Sequence, residues 1–96
     1  MEKFTPTYNL EEFKKSDFDI TFTARKTARD LGFDEKNVRE IVSTMEQKHF
    51  YKSMTSYANH QIWQDVYHVL CGNLILYVKF TKDVISEFTL LSFKEK

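Results

Sequence analysis

The pattern of hydrophobic and polar positions changes near His49 and divides the chain into two halves. Before that point, apolar residues recur at intervals of three and four, the spacing that places them on one face of an α-helix. From His49 onward the period falls to two, and β-branched and aromatic residues dominate, as they do in half-buried strands. The pattern therefore predicts a helical first half followed by a sheet.

Three helices are predicted in the first half, each introduced by a capping residue. The caps are Asn9, Thr23 and Asp34, whose side-chain oxygens can accept a hydrogen bond from the first helical turn. Gly32 lies where a left-handed residue is expected to end the second helix. The third helix has the longest apolar stripe, formed by Val38, Ile41, Val42 and Met45.

Four strands are predicted in the second half, with turn residues between them. Short connections between consecutive strands imply an antiparallel meander. The turns are placed at Ala58-Asn59, Gly72-Asn73 and Lys82-Asp83. The strands are placed at Phe50 to Ser56, Gln61 to Val69, Leu74 to Phe80 and Val84 to Phe93.

The third predicted strand indicates how the two halves pack. Its apolar side chains, from Leu74 to Phe80, alternate with Ile75, Tyr77 and Lys79, so one face is apolar and the other carries a phenol and an ammonium group. We expect the helices to cover the apolar face. The fold class is then α+β, a twisted antiparallel sheet with helices packed on one face and a concave working surface on the other.

Composition limits the class of protein. At 96 residues the chain is expected to form one domain, and 14 basic against 14 acidic side chains give no net charge, which argues against a polybasic nucleic-acid binder. Cys71 is the single cysteine, so an internal disulfide or a multi-cysteine zinc cluster is excluded. We expect a soluble cytoplasmic protein, because there is no apolar run of signal-peptide or membrane-spanning length.

Residues 50–68 form the chemically distinctive segment, FYKSMTSYANHQIWQDVYH. Seven of these nineteen side chains are aromatic or imidazole groups, and Asp65 is the only acid, whereas residues 9–46 hold nine acids. Rings that can stack on bases, with few carboxylates to repel phosphates, favour local contact with nucleic acid. Any such site must be a local patch, since the whole chain is neutral.

Alternation along the predicted strands suggests which side chains meet. It places Lys52 and Met54 on one face of the first strand, with Tyr51 on the other. If hairpin pairing aligns the faces, Lys52, Gln64 and Tyr77 converge from three strands. Lysine can stabilise charge on a phosphate, glutamine can orient a nucleotide, and a tyrosine phenol can exchange a proton. Cleavage of RNA by its own 2′-hydroxyl needs only such positioning and charge stabilisation.

Each of these residues also has a purely structural interpretation. A strand lysine is usually solvated, a tyrosine often sits at the rim of a sheet, and Trp63 is expected in the core. Histidine pairs are the usual acid and base of metal-free ribonucleases, but His60 in a turn and His68 at a strand end are interpreted as surface residues. His49 is expected to contact the carbonyls at a helix end. The histidine spacing matches no zinc site, and no metal is expected.

Three stretches carry a resemblance to a known family. The run at residues 50–68, the ending SFKEK at Ser92 to Lys96 and the opening MEK-x-TP at Met1 to Pro6 resemble the MqsR family, the motility quorum-sensing regulator toxins of bacterial toxin-antitoxin pairs. The resemblance implies one mRNA interferase domain over residues 1–96. It also implies a fold like that of the RelE toxins. No cofactor is expected for the activity.

The resemblance further implies the substrate, the partner and the site. The family cuts mRNA at short GC-containing triplets and is restrained by an antitoxin, MqsA, which binds zinc in one domain and DNA in the other. The family's catalytic lysine, glutamine and tyrosine correspond to Lys52, Gln64 and Tyr77. Further candidates for substrate contact are Lys94, Met54 and Lys79.

Two other functions remain open on the residues alone. In the first, the protein is a non-catalytic RNA-binding module whose rings stack on bases. In the second, it is an interaction protein that presents a sheet edge or face to a partner. Binding without cleavage would identify the first, and absence of RNA affinity the second.

Overall fold

A helical first half packs against a sheet built mainly from the second half. The computed structural model describes residues 1–83, 85 and 87–96. Within them the α-helices are α1 (Leu10–Lys15), α2 (Phe22–Asp30) and α3 (Glu35–Ser43), followed by a short 3₁₀ helix (Gln47–His49). The strands are β1 (Glu2–Lys3), β2 (Asp19–Ile20), β3 (Phe50–Thr55), β4 (Trp63–Cys71), β5 (Leu74–Lys82) and β6 (Phe88–Glu95).

Two of the three predicted helix caps are confirmed. Asn9 accepts a hydrogen bond from the Glu12 amide, and Asp34 forms a reciprocal capping box with Asn37. The predicted cap at Thr23 is wrong, because α2 begins two residues earlier and Thr21 accepts from the Ala24 amide at 3.1 Å. Thr21 is also the point at which the chain leaves the sheet after β2.

The carboxyl-terminal ends of α2 and α3 can be compared with the sequence prediction. Gly32 has a φ of 92°, the left-handed conformation expected of a terminating residue. The apolar stripe of the third helix is partly confirmed: α3 ends at Ser43, so Met45 lies beyond the helix but is still completely buried.

The sheet confirms the predicted meander and adds two strands. The strand order is β1-β3-β4-β5-β6-β2, in which β3 to β6 pair antiparallel with their sequence neighbours. β1 adds to one edge antiparallel to β3, and β2 adds to the other edge parallel to β6. Both were missed because two residues are too short to show a period. The predicted start of the last strand, Val84, lies outside the described residues.

One face of the sheet is covered by the helices, as the apolar pattern of the third predicted strand indicated. Leu76, Val78 and Phe80 of β5 are fully buried in one cluster with residues of all three α-helices. The Phe13 ring of α1 stacks on the Phe80 ring with 3.8 Å between centroids. We call this side of the sheet the covered face. The fold class α+β is therefore confirmed.

A buried carboxylate attaches the amino-terminal segment to the sheet. Asp65 is fully buried, and its two oxygens accept hydrogen bonds from the backbone amides of Thr7 and Tyr8 at 2.9 to 3.1 Å. Thr7 follows β1 after a short connection, and so this anchor helps to hold Glu2 against β3. The single acid of residues 50–68 thus faces the backbone on the helix side. None of the helices described has the length and apolar character needed to cross a membrane.

Candidate functional site

The opposite side of the sheet, which we call the open face, collects the residues singled out from the sequence. Register partners in adjacent strands point to the same face. Lys52 lies opposite Val66, which lies opposite Lys79, and Tyr77 lies between His68 and Lys94. Met54 lies opposite Gln64. All six candidates share the open face: Lys52, Met54, Gln64, Tyr77, Lys79 and Lys94.

The six candidates do not form one tight cluster. Gln64 is four residues from His68 along β4, about 13 Å at the rise of a strand, and His68 is the partner of Tyr77. Lys52 lies at the level of Val66, between the two. Gln64 and Tyr77 therefore occupy opposite ends of a surface with Lys52 in the middle. A surface of this length suits a chain of nucleotides better than a single small molecule.

A small pocket opens at the Met54 end of this surface. It has a volume of about 170 Å³ and lies between the first strand and the β3–β4 connection. It is lined by Met1, Glu2, Met54, Thr55, Ser56, Tyr57 and His60.

Lys52 is held by an ion pair. Its side chain is only 18% exposed, and its ammonium group donates to the Glu2 carboxylate of β1. The hydrogen bond with Glu2 raises the pKa of Lys52 above its ordinary value, so the ammonium group stays charged at neutral pH. Any phosphate that binds Lys52 must therefore compete with Glu2.

A β-bulge overturns the predicted side of Tyr51. The register shifts between Phe50 and Lys52, which places Phe50 opposite Tyr67 on the covered face and leaves Tyr51 beside Lys52 on the open face. The Tyr51 ring stacks on His68 with 4.3 Å between centroids. Simple period-two alternation from Phe50 cannot detect the extra residue, and so the prediction for Tyr51 is wrong.

The interpretation of His68 as a surface residue at a strand end is also wrong. β4 continues to Cys71, so His68 lies within the strand and is half-buried between Tyr51 and Tyr77. Burial lowers the pKa of His68, and the charges of Lys96 and Lys52 lower it further. The imidazole is therefore neutral at neutral pH. Its regular alternation with Val66 and Gln64 was the signal that could have placed it on the open face.

The other two histidines lie outside this group. His60 is exposed in the turn before β4, as predicted. The predicted contact of His49 is wrong in its partner: the Nδ1 atom of its side chain accepts a hydrogen bond from the Glu46 amide at 2.9 Å, at the start of the 3₁₀ helix. Neither shares the stacked position of His68.

Tyr77 combines a half-buried phenol with a nearby positive charge. Burial raises the pKa of Tyr77, while the charge of Lys52 opposes that change, so the phenol is protonated at neutral pH. The Lys94 ammonium group lies 5.2 Å from the centre of the Tyr77 ring, within cation–π range. Lys79 is also half-buried, and burial together with the charge of Lys94 lowers the pKa of Lys79.

Trp63 is not the core residue that was expected. It is half-buried at the start of β4, outside the main hydrophobic cluster, and the Lys3 ammonium group lies 4.3 Å from the ring centre. The backbone carbonyl of Trp63 accepts hydrogen bonds from the hydroxyl groups of Tyr8 and Thr81. The indole of Trp63 is therefore covered by Lys3 of the edge strand β1 and not by the apolar residues of the core.

Known proteins resemble this chain over almost all of its length. The family described as motility quorum-sensing regulator, toxin of MqsA, matches residues 5–95. The mRNA interferase toxin MqsR of Escherichia coli (strain K12) is 38% identical over 100 residues, a match that covers 100% of this chain and 100% of the relative. The chain therefore belongs to the motility quorum-sensing regulator toxin family, as its resemblance to that family predicted.

Proposed function

We propose that this protein is the toxin of a type II toxin-antitoxin pair and an endoribonuclease that cuts mRNA, so that translation and growth stop. Membership of a toxin family and the full-length match to a protein named mRNA interferase support the proposal. The observation that carries it is the open face. There, Lys52, His68 and Tyr77 lie together on a side of the sheet that the helices leave uncovered.

The chemistry is attack by the RNA's own 2′-hydroxyl on the adjacent phosphate. Lys52 stabilises the negative charge that builds on the phosphorane oxygens, because a fixed ammonium group needs no reorganisation during the reaction. Tyr77 holds a phosphate oxygen or transfers a proton, and Gln64 positions a neighbouring nucleotide. This route uses charge and orientation alone, and so we propose that it is independent of metal.

The remaining candidates bind the strand on either side of the scissile linkage. Lys79 and Lys94 supply positive charge beside Tyr77, where flanking phosphates would pass. Met54 lies opposite Gln64 and offers an apolar contact to a base. Preference for short GC-containing sequences belongs to the proposal as well.

The proposed partners and cellular location follow from the proposed toxin function. We propose that the whole of residues 1–96 acts as one domain in the cytoplasm, where mRNA is translated. A cognate antitoxin of the MqsA type would restrain it and would itself carry the zinc site and the DNA-binding domain. The family description, which names these proteins toxins of MqsA, supports an antitoxin partner.

Mapping of RNA ends tests the proposal. Purified protein is incubated with a defined RNA, with and without chelator, and both new ends are identified. We expect a 2′,3′-cyclic phosphate and a 5′-hydroxyl in equal yield under both conditions. Fragments that end in a 3′-hydroxyl and appear only without chelator would indicate a metal-dependent hydrolase.

A non-catalytic RNA-binding module is the second candidate. The stacked pair of Tyr51 and His68 favours it, since base stacking alone gives affinity without cleavage. Intact RNA that is bound by the protein in a salt-dependent manner would support this reading and contradict the endoribonuclease.

A further inference from the structure

We infer that His68 is the general base that removes the proton from the attacking 2′-hydroxyl. The inference rests on the proposed function and extends it by one catalytic residue. Tyr77, the residue already suggested for proton transfer, then serves as the acid at the other side of the phosphorus.

His68 lies where a nucleotide held by Lys52 and Tyr77 must pass. It is the register partner of Tyr77, and the two ring centroids are 5.9 Å apart. Lys52 of β3 is a diagonal neighbour of His68, because its own partner Val66 is two residues away in β4. A phosphate between Lys52 and Tyr77 therefore brings its ribose within reach of the imidazole.

The ring is also held in place. Tyr51 stacks on one side at 4.3 Å, and Tyr77 lies against it from the next strand. A base whose orientation is fixed before the substrate arrives reduces the entropy that the reaction must lose. The bulge in β3 is what brings Tyr51 to this side of the sheet.

Among the groups near the phosphate position, His68 is the best suited to accept a proton at neutral pH. The Lys52 ammonium group is charged and bound to Glu2, and the pKa of the Tyr77 phenol is raised by burial. A neutral imidazole has a free lone pair, which is what a general base requires. Burial and the charges of Lys96 and Lys52 lower the pKa of His68 and so favour this neutral form. The rings of Tyr51 and Tyr77 face His68, and the charges of Lys96 and Lys52 act on it. Further charged groups on the open face are Glu2, which is paired with Lys52; Lys94, which is paired with Tyr77; and Lys79, which lies opposite Val66.

The reaction balances with these residues alone. His68 takes the 2′-hydroxyl proton as the 2′-oxygen forms its bond to phosphorus and the bond from phosphorus to the 5′-oxygen breaks. The departing 5′-oxygen receives a proton from the Tyr77 phenol. Imidazolium and phenolate then return to their resting states by proton exchange with solvent, and the products are a 2′,3′-cyclic phosphate and a 5′-hydroxyl.

The pH dependence of cleavage tests this role. In the wild type, kcat/KM should fall tenfold per pH unit on the acid side, because protonation removes the base. The midpoint should lie below 6.5, since the pKa of His68 is lowered. His68→Gln should lower kcat by about 100-fold or more, with little change in KM, and should abolish the acid limb. His49→Gln is the matched control and should retain both the rate and the limb.

A second substitution separates catalysis from stacking. His68→Phe keeps a ring beside Tyr51 but has no proton acceptor, and so it should lose as much kcat as His68→Gln. Full cleavage by His68→Phe, with the acid limb intact, would overturn the inference. If the wild type itself leaves RNA uncut, the proposed function fails and the role of His68 fails with it.

Direct titration of the wild-type protein gives a readout that does not depend on the stability of a variant. The Hε1 resonance of His68 should titrate below 6.5 and should shift when an RNA with a 2′-deoxy group at the cleavage position is added. The Hε1 resonance of His49 should not respond to the addition of this RNA. A His68 resonance that does not respond to this uncleavable RNA would contradict contact between the imidazole and the nucleotide.

Discussion

Both faces of the sheet carry aromatic side chains, but the rings contact different kinds of group on each face. On the covered face, aromatic rings pack on one another, as Phe13 does on Phe80 at 3.8 Å between centroids. On the open face, rings lie beside cations and an imidazole: Tyr51 contacts His68 at 4.3 Å, and Lys94 lies 5.2 Å from the centre of the Tyr77 ring. The covered face supplies stability, and the open face supplies groups that can bind and transfer protons.

Period-two alternation is informative in this chain because the two faces of the sheet have different roles. Strand residues such as Val78 and Phe80 face the helices and form the buried core, while the residues between them point to the open face. β4 illustrates this division, since Tyr67 and Val69 are buried in the core while His68 between them faces the other way. Asp65 is a polar residue on the helix side, and backbone amides satisfy its carboxylate.

The largest expected effect is on the covered face. Phe80→Ala removes a fully buried ring that stacks on Phe13, and we expect the free energy of unfolding to fall by about 3–5 kcal/mol. Denaturant titration measures the change. Tyr51→Ala on the open face is the matched aromatic control and should lower stability by about 0.5 kcal/mol or less. Equal losses in the two variants would contradict the division of roles.

The next effect is on the open face and should leave the fold unchanged. Lys52→Ala removes the ammonium group proposed to stabilise the phosphorane, and kcat should fall by about 100-fold to 1000-fold. Lys36→Ala, which deletes an exposed lysine from α3, should cut RNA at the wild-type rate. Circular dichroism and thermal melting establish that both variants are folded. Full activity in Lys52→Ala would remove this residue from the mechanism.

An intermediate effect is expected where the amino-terminal segment meets the sheet. Asp65→Asn replaces a buried carboxylate that accepts amide hydrogen bonds from Thr7 and Tyr8. We expect the free energy of unfolding to fall by about 1.5–3 kcal/mol, the range for hydrogen bonds to a charged group. Hydrogen exchange at the amides of Thr7 and Tyr8 should rise more than exchange in β5. Unchanged protection of those two amides would show that Asp65 does not anchor the segment.

The smallest expected effect is a gain. Glu2→Gln removes the carboxylate bound to Lys52, so the ammonium group no longer has to exchange one anion for another when RNA arrives. Since partly exposed ion pairs contribute about 0–1 kcal/mol, RNA affinity should rise by a factor of about five or less. Titration with an uncleavable RNA at low salt measures it. Weaker binding by Glu2→Gln would mean that Glu2 positions Lys52 instead of competing for it.

The sequence predicted the fold class and the sheet face that the candidate residues share, and the failures have local physical causes. Alternation in β5 correctly separated Leu76 and Val78 from Tyr77, because regular strands have a period of two. The bulge at Tyr51 breaks that period, and so the stack on His68 could not be predicted from spacing. The ion pair between Glu2 and Lys52 depends on an edge strand of two residues, which leaves no pattern in the sequence.

The cap of α2 shows a second kind of limit. Thr21 and Thr23 are the same residue type, so either could cap the helix by sequence alone. Tertiary structure selects Thr21, because its amide donates a hydrogen bond to the Leu90 carbonyl of β6 as the chain leaves β2. Side-chain chemistry suggested roles for Lys52, Gln64 and Tyr77, but alternation alone does not encode the register between strands. Their assignment to one catalytic site was therefore what the family resemblance implied.

The most direct test of the open face as the RNA-binding surface is to locate bound RNA on the protein. An RNA with a 2′-deoxy group at the cleavage position is titrated into isotope-labelled protein, and the backbone amide shifts are mapped. We predict that the largest changes fall on Tyr51, Lys52, His68, Tyr77 and Lys94, while the amides of α2 and α3 stay in place. Changes confined to the helices, with the open face unaffected, would contradict RNA binding on the open face.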